Sequence, residues 1–170
     1  MGDGVSVETA GEAVVLRLYE LAPTILADTS GVLVTFGHPG AERADDCVFF
    51  GGWSISQEPG PLSRSNRARE EQVEFDVVFS SYRGGGWEAE LEASNAANGL
   101  LKKFEYYVRQ TNTELATTVG AGDGVARYCF LLRAAAQPFT VLNERQVAVG
   151  RNVTVNATFG AVVRIEGIAA

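Results

Sequence analysis

From Gln72 to Phe79, QVEFDVVF, apolar and polar residues alternate, so that Val73, Phe75, Val77 and Phe79 fall on one side and Glu74, Asp76 and Val78 on the other. A period of two is that of a β-strand in a sheet covered on one face. Downstream the period changes. In Trp87 to Ala116, WEAELEASNAANGLLKKFEYYVRQTNTELA, the residues Trp87, Leu91, Ser94, Leu101, Phe104 and Val108 recur at steps of three, four or seven. That spacing predicts a long amphipathic helix whose apolar stripe lies on a flat apolar surface. Neighbouring strands supply the surface, so a helix-on-sheet domain is expected.

The remaining elements follow from the same reading. Gly11 to Asp28 predicts a first helix with Thr9 as N-cap, apolar positions Val14, Leu18, Leu21 and Ile25, and Pro23 as a kink or a new turn. Val32 to Phe36 is a short strand closed by the GHPG turn at Gly37 to Gly40. Cys47 to Ser56 is a second strand, in which Gly51 and Gly52 mark a bulge or a close backbone approach. Between it and the QVEFDVVF strand, EPGPLSRSNRAREE lacks apolar periodicity and reads as a long exposed arm. After the long helix come the GAGDG turn at Gly120 to Gly124, a strand at Arg127 to Ala136 and an irregular connection through Pro138. A last strand, Asn152 to Ile165, has its register broken by Gly160. The expected fold is α+β: a mixed, largely antiparallel sheet with two helices on one face, in the order α-β-β-β-α-β-β.

Length and composition narrow the picture. A chain of 170 residues is expected to form one domain, 1–170, burying roughly 70% of its unfolded surface around one core. Its composition, 46% hydrophobic and 21% charged, is that of a globular protein, and no run approaches the ~20 apolar residues that span a bilayer. The first residues, MGDGVSVETAGEA, do not read as a secretory signal, and a cytoplasmic protein without membrane partners is expected. Cys47 and Cys129 lie in apolar strands without a second ligand at metal spacing, and are expected as buried free thiols. A net charge of -7 argues against a grip on nucleic-acid backbone, which needs clustered Lys and Arg.

No catalytic, cofactor-binding or metal-binding cluster emerges. The one histidine, His38, sits in a Gly-Pro turn without a partnered nucleophile. GAGDG lacks a phosphate loop's Lys-Ser/Thr and precedes a strand. The adjacent pairs Asp45, Asp46 and Glu70, Glu71 point apart and read as solvated charge. Thr154, Asn156 and Thr158 fit the outward face of a strand. Trp87, Phe104, Tyr106 and Tyr107 are expected as core and interface anchors. The strongest surface feature is Arg64, Arg67 and Arg69 followed by Glu70 and Glu71. It reads either as a solvated loop or as a subunit contact in which guanidinium forks meet carboxylates of a neighbouring copy.

The whole arrangement resembles the tail-terminator proteins of long-tailed (siphovirus-like) bacteriophages. The pieces that carry the likeness are VLVTFGHPG, the arm SRSNRAREEQVEFDVVFSSYRGG, the helix segment NAANGLLKKFEYYV and the closing NVTVNATFGAVVRIEG. The likeness rests on pattern and order across most of the chain. It implies a structural virion protein, not an enzyme, that assembles as a hexameric ring on the tail tube, ends tube growth and presents the surface joining tail to head connector. The implied partners are further copies of the chain, the tube protein and a connector, at the neck end of a tail assembled in the host cytoplasm. DNA would pass through the lumen without specific binding, and acidic side chains facing it would keep the genome from adhering. Glu74 and Asp76 are the candidates for that role. The section from Ala135 to Arg151 departs from the pattern and has no assigned place. A head-tail connector or tail-completion protein, a tube subunit, and a small-molecule enzyme or binding domain are the alternatives.

Overall fold

The computed structural model describes residues 7–41, 44–59, 69–110 and 125–165. Their elements are α1 Val7–Ile25, β1 Val32–Phe36, β2 Asp46–Pro59, β3 Arg69–Gly84, α2 Glu88–Gln110, β4 Val125–Leu142 and β5 Ala148–Ile165. The five strands form one sheet in the order β1-β2-β3-β5-β4, parallel at β1/β2 and antiparallel elsewhere. Both helices lie on one face. The fold is thus α+β with the order expected from the pattern.

The alternation in β3 sets the core. Val73, Phe75, Val77 and Phe79 are buried on the helix side, opposite Val155, Ala157, Phe159 and Ala161 of β5, while Glu74 and Asp76 are exposed. On β2 the inward residues are Val48 and Phe50, but past Gly51 and Gly52 they become Trp53 and Ile55, opposite Phe75 and Val73. One extra residue between Phe50 and Trp53 causes this change of parity, as a β-bulge does. A Cβ on Gly51 would come within 3.3 Å of Asp76 Cβ, so the close approach foreseen at this glycine is present too.

Phe104 of α2 is the hub of the core. Fully buried, it meets Phe50, Phe79 and Phe159 edge-on, with ring centroids 5.9, 5.8 and 5.3 Å away. The helix seats itself through Ala89, Ala93, Ala97, Leu100, Leu101, Phe104 and Val108. This corrects the predicted stripe: Trp87 and Leu91 stay 77% and 67% exposed, and Trp87 precedes the helix. Alanines at steps of four let the helix approach the sheet closely, where a Trp and a Leu would hold it away. Acidic Glu88 and Glu90 in the first turn and Arg109 in the last complement the helix dipole. Across the helices, Lys103 Nζ donates to Asp28 Oδ1 at 2.9 Å and Thr29 Oγ1 at 2.6 Å.

Three further expectations change. Thr9 lies inside α1, not at its cap, and Pro23 falls in the last turn without ending the helix. Gly160 does not break β5, whose pairing with β3 runs unshifted from Gly150 to Ile165. The irregularity is on β4, between Leu131 and Arg133, where Leu132 lies over the bare Gly160. Finally, Ala135 to Arg151 is no irregular connection: β4 and β5 form one long hairpin, with Leu142 opposite Ala148. Its turn is made by Asn143, whose Oδ1 accepts from the N–H groups of Arg145 and Val147 at 2.9 and 3.0 Å, with Gln146 at φ 60°.

Candidate functional site

The residues singled out in the sequence separate. Arg64 and Arg67 lie outside the described residues, with the rest of 60–68. Arg69 and Glu70 open β3, and their side chains also fall outside them. Glu71, expected as solvated charge, is fully buried. It belongs to the odd-numbered series of β3 that faces the core, so the period of two carries it inward with Val73. Glu74 and Asp76 stand on the sheet face away from the helices, where Asp76 Oδ1 accepts from Thr158 Oγ1 at 2.7 Å.

The aspartate pair also divides. Asp46 is not solvated: its carboxylate takes both arms of Arg83, at 3.0 and 3.3 Å, and accepts from Ser81 Oγ. The hydrogen bond to Asp46 raises the Arg83 pKa above its ordinary value, against the opposing effect of burial. Asp45 points the other way and is exposed. Both cysteines are buried and free, and burial pushes the Cys129 thiol up to about 12. It is therefore an inert core residue.

Two features remain that the linear pattern did not show. The first is a cleft of about 390 Å³ on the sheet face away from the helices. β1 and β2 run parallel, yet only residues 37–45 connect them, too few for the usual helical crossover. That connection borders the open face with its described residues, 37–41 and 44–45, the first of them held by Gly37 N donating to Phe50 O at 2.8 Å and Thr35 Oγ1 donating to Gly37 O at 2.8 Å. It places His38, Pro39, Ala44 and Asp45 along one wall. The floor comes from the outward residues of successive strands: Phe49 and Cys47 of β2, Ser80 and Tyr82 of β3, Asn152 and Thr154 of β5. Ser80 Oγ donates to Asn152 Oδ1 at 3.1 Å, and Asn152 Nδ2 donates to Thr154 Oγ1 at 3.3 Å. His38 Nδ1 accepts from Gly40 N at 3.0 Å, and its ring meets Phe49 edge-on at 5.2 Å. The cleft thus has aromatic walls, a neutral hydrogen-bonding floor and a carboxylate at the rim.

The second feature is the far half of the β4–β5 hairpin. β4 is an edge of the sheet, and its residues 134–142, AAAQPFTVL, carry no charge. Phe130, Leu132, Phe139, Leu142, Val147 and Val149 are all exposed along the hairpin. Gly85 N donates to Val149 O at 3.1 Å, which brings Trp87 and the start of α2 to the same end of the sheet. Among the described residues no helix is long and apolar enough to cross a membrane, and no three potential metal ligands converge. No family model and no curated protein matches this chain.

Proposed function

We propose that this chain is a ring-forming structural subunit of a long-tailed phage virion, the one that caps the tail tube, ends its growth and joins it to the head connector. The observation that supports this reading is the apolar hairpin on an open sheet edge. A monomer that leaves six large apolar residues in one hairpin dry-side out, beside a 77%-exposed Trp87, has a surface suited to a protein partner. The contact is better suited to a closed ring than to an indefinite tube. β4 carries Pro138 and register shifts at Ala126/Tyr128, Leu131/Arg133 and Val141/Leu142, which interrupt a continuous backbone ladder and leave side-chain docking as the means of contact. The acidic net charge and the outward Glu74 and Asp76 suit a wall past which DNA slides.

Native mass spectrometry of the purified chain, with electron microscopy in the presence of tail tubes, tests the reading. Discrete rings that bind tube ends are the expected result, and Phe139→Lys with Val147→Lys should convert them to folded monomers. A strict monomer that ignores tube ends would refute it, and self-assembled long tubes would favour a tube subunit. The cleft supports a second reading, a small-molecule binding domain, because its volume falls in the range of ligand sites. A tightly bound small molecule released on denaturing the purified protein is the result that would favour it.

A further inference from the structure

We propose that the cleft beside Asp45 receives an arginine side chain, Arg64 or Arg67, from the β2–β3 arm of a second copy of this chain; this rests on the ring reading above. The chemistry of the cleft selects a cation. Its described lining holds no Lys or Arg, and among the described residues Asp45 forms no ion pair within 4 Å. The nearby Arg83 is engaged in direct contact by Asp46 and feels Asp45 only at longer range, so among the described residues the Asp45 carboxylate at the rim is left without a contacting cation. The faces of Phe49 and Tyr82 suit a flat cation, and the oxygens of Asn152 and Thr154 can accept its N–H groups. A planar guanidinium meets all three demands at once, whereas an anion meets none.

The connection between β2 and β3 offers such cations. The arm between Pro59 and Arg69 carries Arg64 and Arg67, and no lysine. Its own cleft is out of reach. Arg69 and Ser80 are eleven residues apart on β3, roughly 35 Å at a strand's rise. The nine residues 60–68 must leave β2 and return to β3 at the same end, so they extend at most about 18 Å from it. A donor in the cleft must therefore belong to another copy. Arm and cleft lie at opposite ends of the sheet, so the contact is head-to-tail, the kind that generates rings when its rotation closes.

The test uses the peptide of residues 60–70, GPLSRSNRARE, titrated into the full chain carrying Arg64→Ala and Arg67→Ala, so that the receptor's own arms do not compete. It is repeated with Arg43→Ala added, so that the arginine two positions before Asp45 cannot mask the site. His38 is the only histidine, which makes its ring NMR signals an unambiguous reporter at the cleft wall. We expect saturable shifts of those signals. Affinity should fall at least about tenfold for the peptide with Arg64 and Arg67 replaced by Ala, and about fivefold for an Asp45→Asn receptor. Putrescine and free arginine, the small-molecule sources of the same chemistry, should bind more weakly than the peptide. Absence of His38 shifts in both receptors, equal affinity for the Ala peptide, or tighter binding of putrescine would overturn the proposal. Mass measurement separates its failure from that of the ring: rings that persist in Asp45→Asn and in Arg64→Ala, Arg67→Ala refute the arm contact alone. A chain that stays monomeric yet binds the peptide refutes the ring alone.

Discussion

Replacing Phe104 with Ala tests whether α2 is seated as described. The side chain is fully buried and touches three other rings, one from each of β2, β3 and β5, so its removal opens a cavity shared by three strands. Phe→Ala in such a core costs about 3–5 kcal/mol, and the lost edge-to-face contacts place this site toward the upper part of that range. Against a total stability of about 5–15 kcal/mol that is a large fraction. For a chain of this length about 4 kcal/mol lowers Tm by roughly 8–16 °C. Phe104→Leu keeps most of the volume and should cost about 1.5 kcal/mol. Urea denaturation followed by far-UV circular dichroism measures all three variants on one scale. Leu91→Ala is the decisive comparison: at 67% exposure it should change stability by less than about 0.5 kcal/mol, whereas a Leu facing the sheet would cost about 2–5. A loss above about 2 kcal/mol for Leu91→Ala, or below about 1 for Phe104→Ala, would refute the seating of α2 on its alanine face.

Three other outcomes follow from particular contacts. Gly150 leaves room for the ring of Tyr82, which a Cβ would overlap; Gly150→Ala should cost about 1–3 kcal/mol in thermal denaturation, and in a Tyr82→Ala background the same change should stabilise by about 0.5. The Cys129 thiol has its folded pKa raised from 9.0 to about 12, so its contribution is fully present below pH 9 and is lost as pH rises through 9 to 12; wild type should lose up to about 1.4 kcal/mol per pH unit there relative to Cys129→Ala, and an equal slope in both would refute the assignment. Asp46→Ala strands the half-buried Arg83 guanidinium and the buried Ser81 hydroxyl, and chemical denaturation at neutral pH should show a loss of about 1–3 kcal/mol, against little change for Asp45→Ala.

Strand β3 was legible because its period of two is carried by large side chains on one face only. Glu71 was not, since its charge argued for the surface while its odd position placed it on the core face, and position won. For α2 the hydrophobic signal favoured Trp87 and Leu91 by size, but a helix lying on a sheet is seated by what fits under it, and there Ala93 and Ala97 fit. The hairpin turn at Asn143 escaped notice because it uses an Asn side chain and a non-glycine residue at positive φ where Gly or Pro would be the visible signal. The cleft could not be read at all from linear spacing: Phe49, Ser80 and Asn152 meet only through the register of three strands.

That same register decides what kind of association the fold can support. The sheet has two edges of unlike character. β1 is five residues long, and Phe36 at its end meets Tyr19 of α1 edge-on, with ring centroids 5.4 Å apart. β4 is 18 residues long, uncharged over its second half and faced with exposed apolar side chains. An isologous pairing of two β4 edges would satisfy both at once and stop at a dimer. The interruptions at Pro138 and at the three register shifts work against that pairing, because each removes or misplaces ladder groups that a second β4 would need in sequence. What the edge retains is its side chains, and these suit a partner surface of different shape. Chemical crosslinking separates the two cases: links from β4 to β4 would mark a two-fold dimer, whereas links joining the hairpin of one copy to the α2 or β1 side of the next would mark a head-to-tail ring.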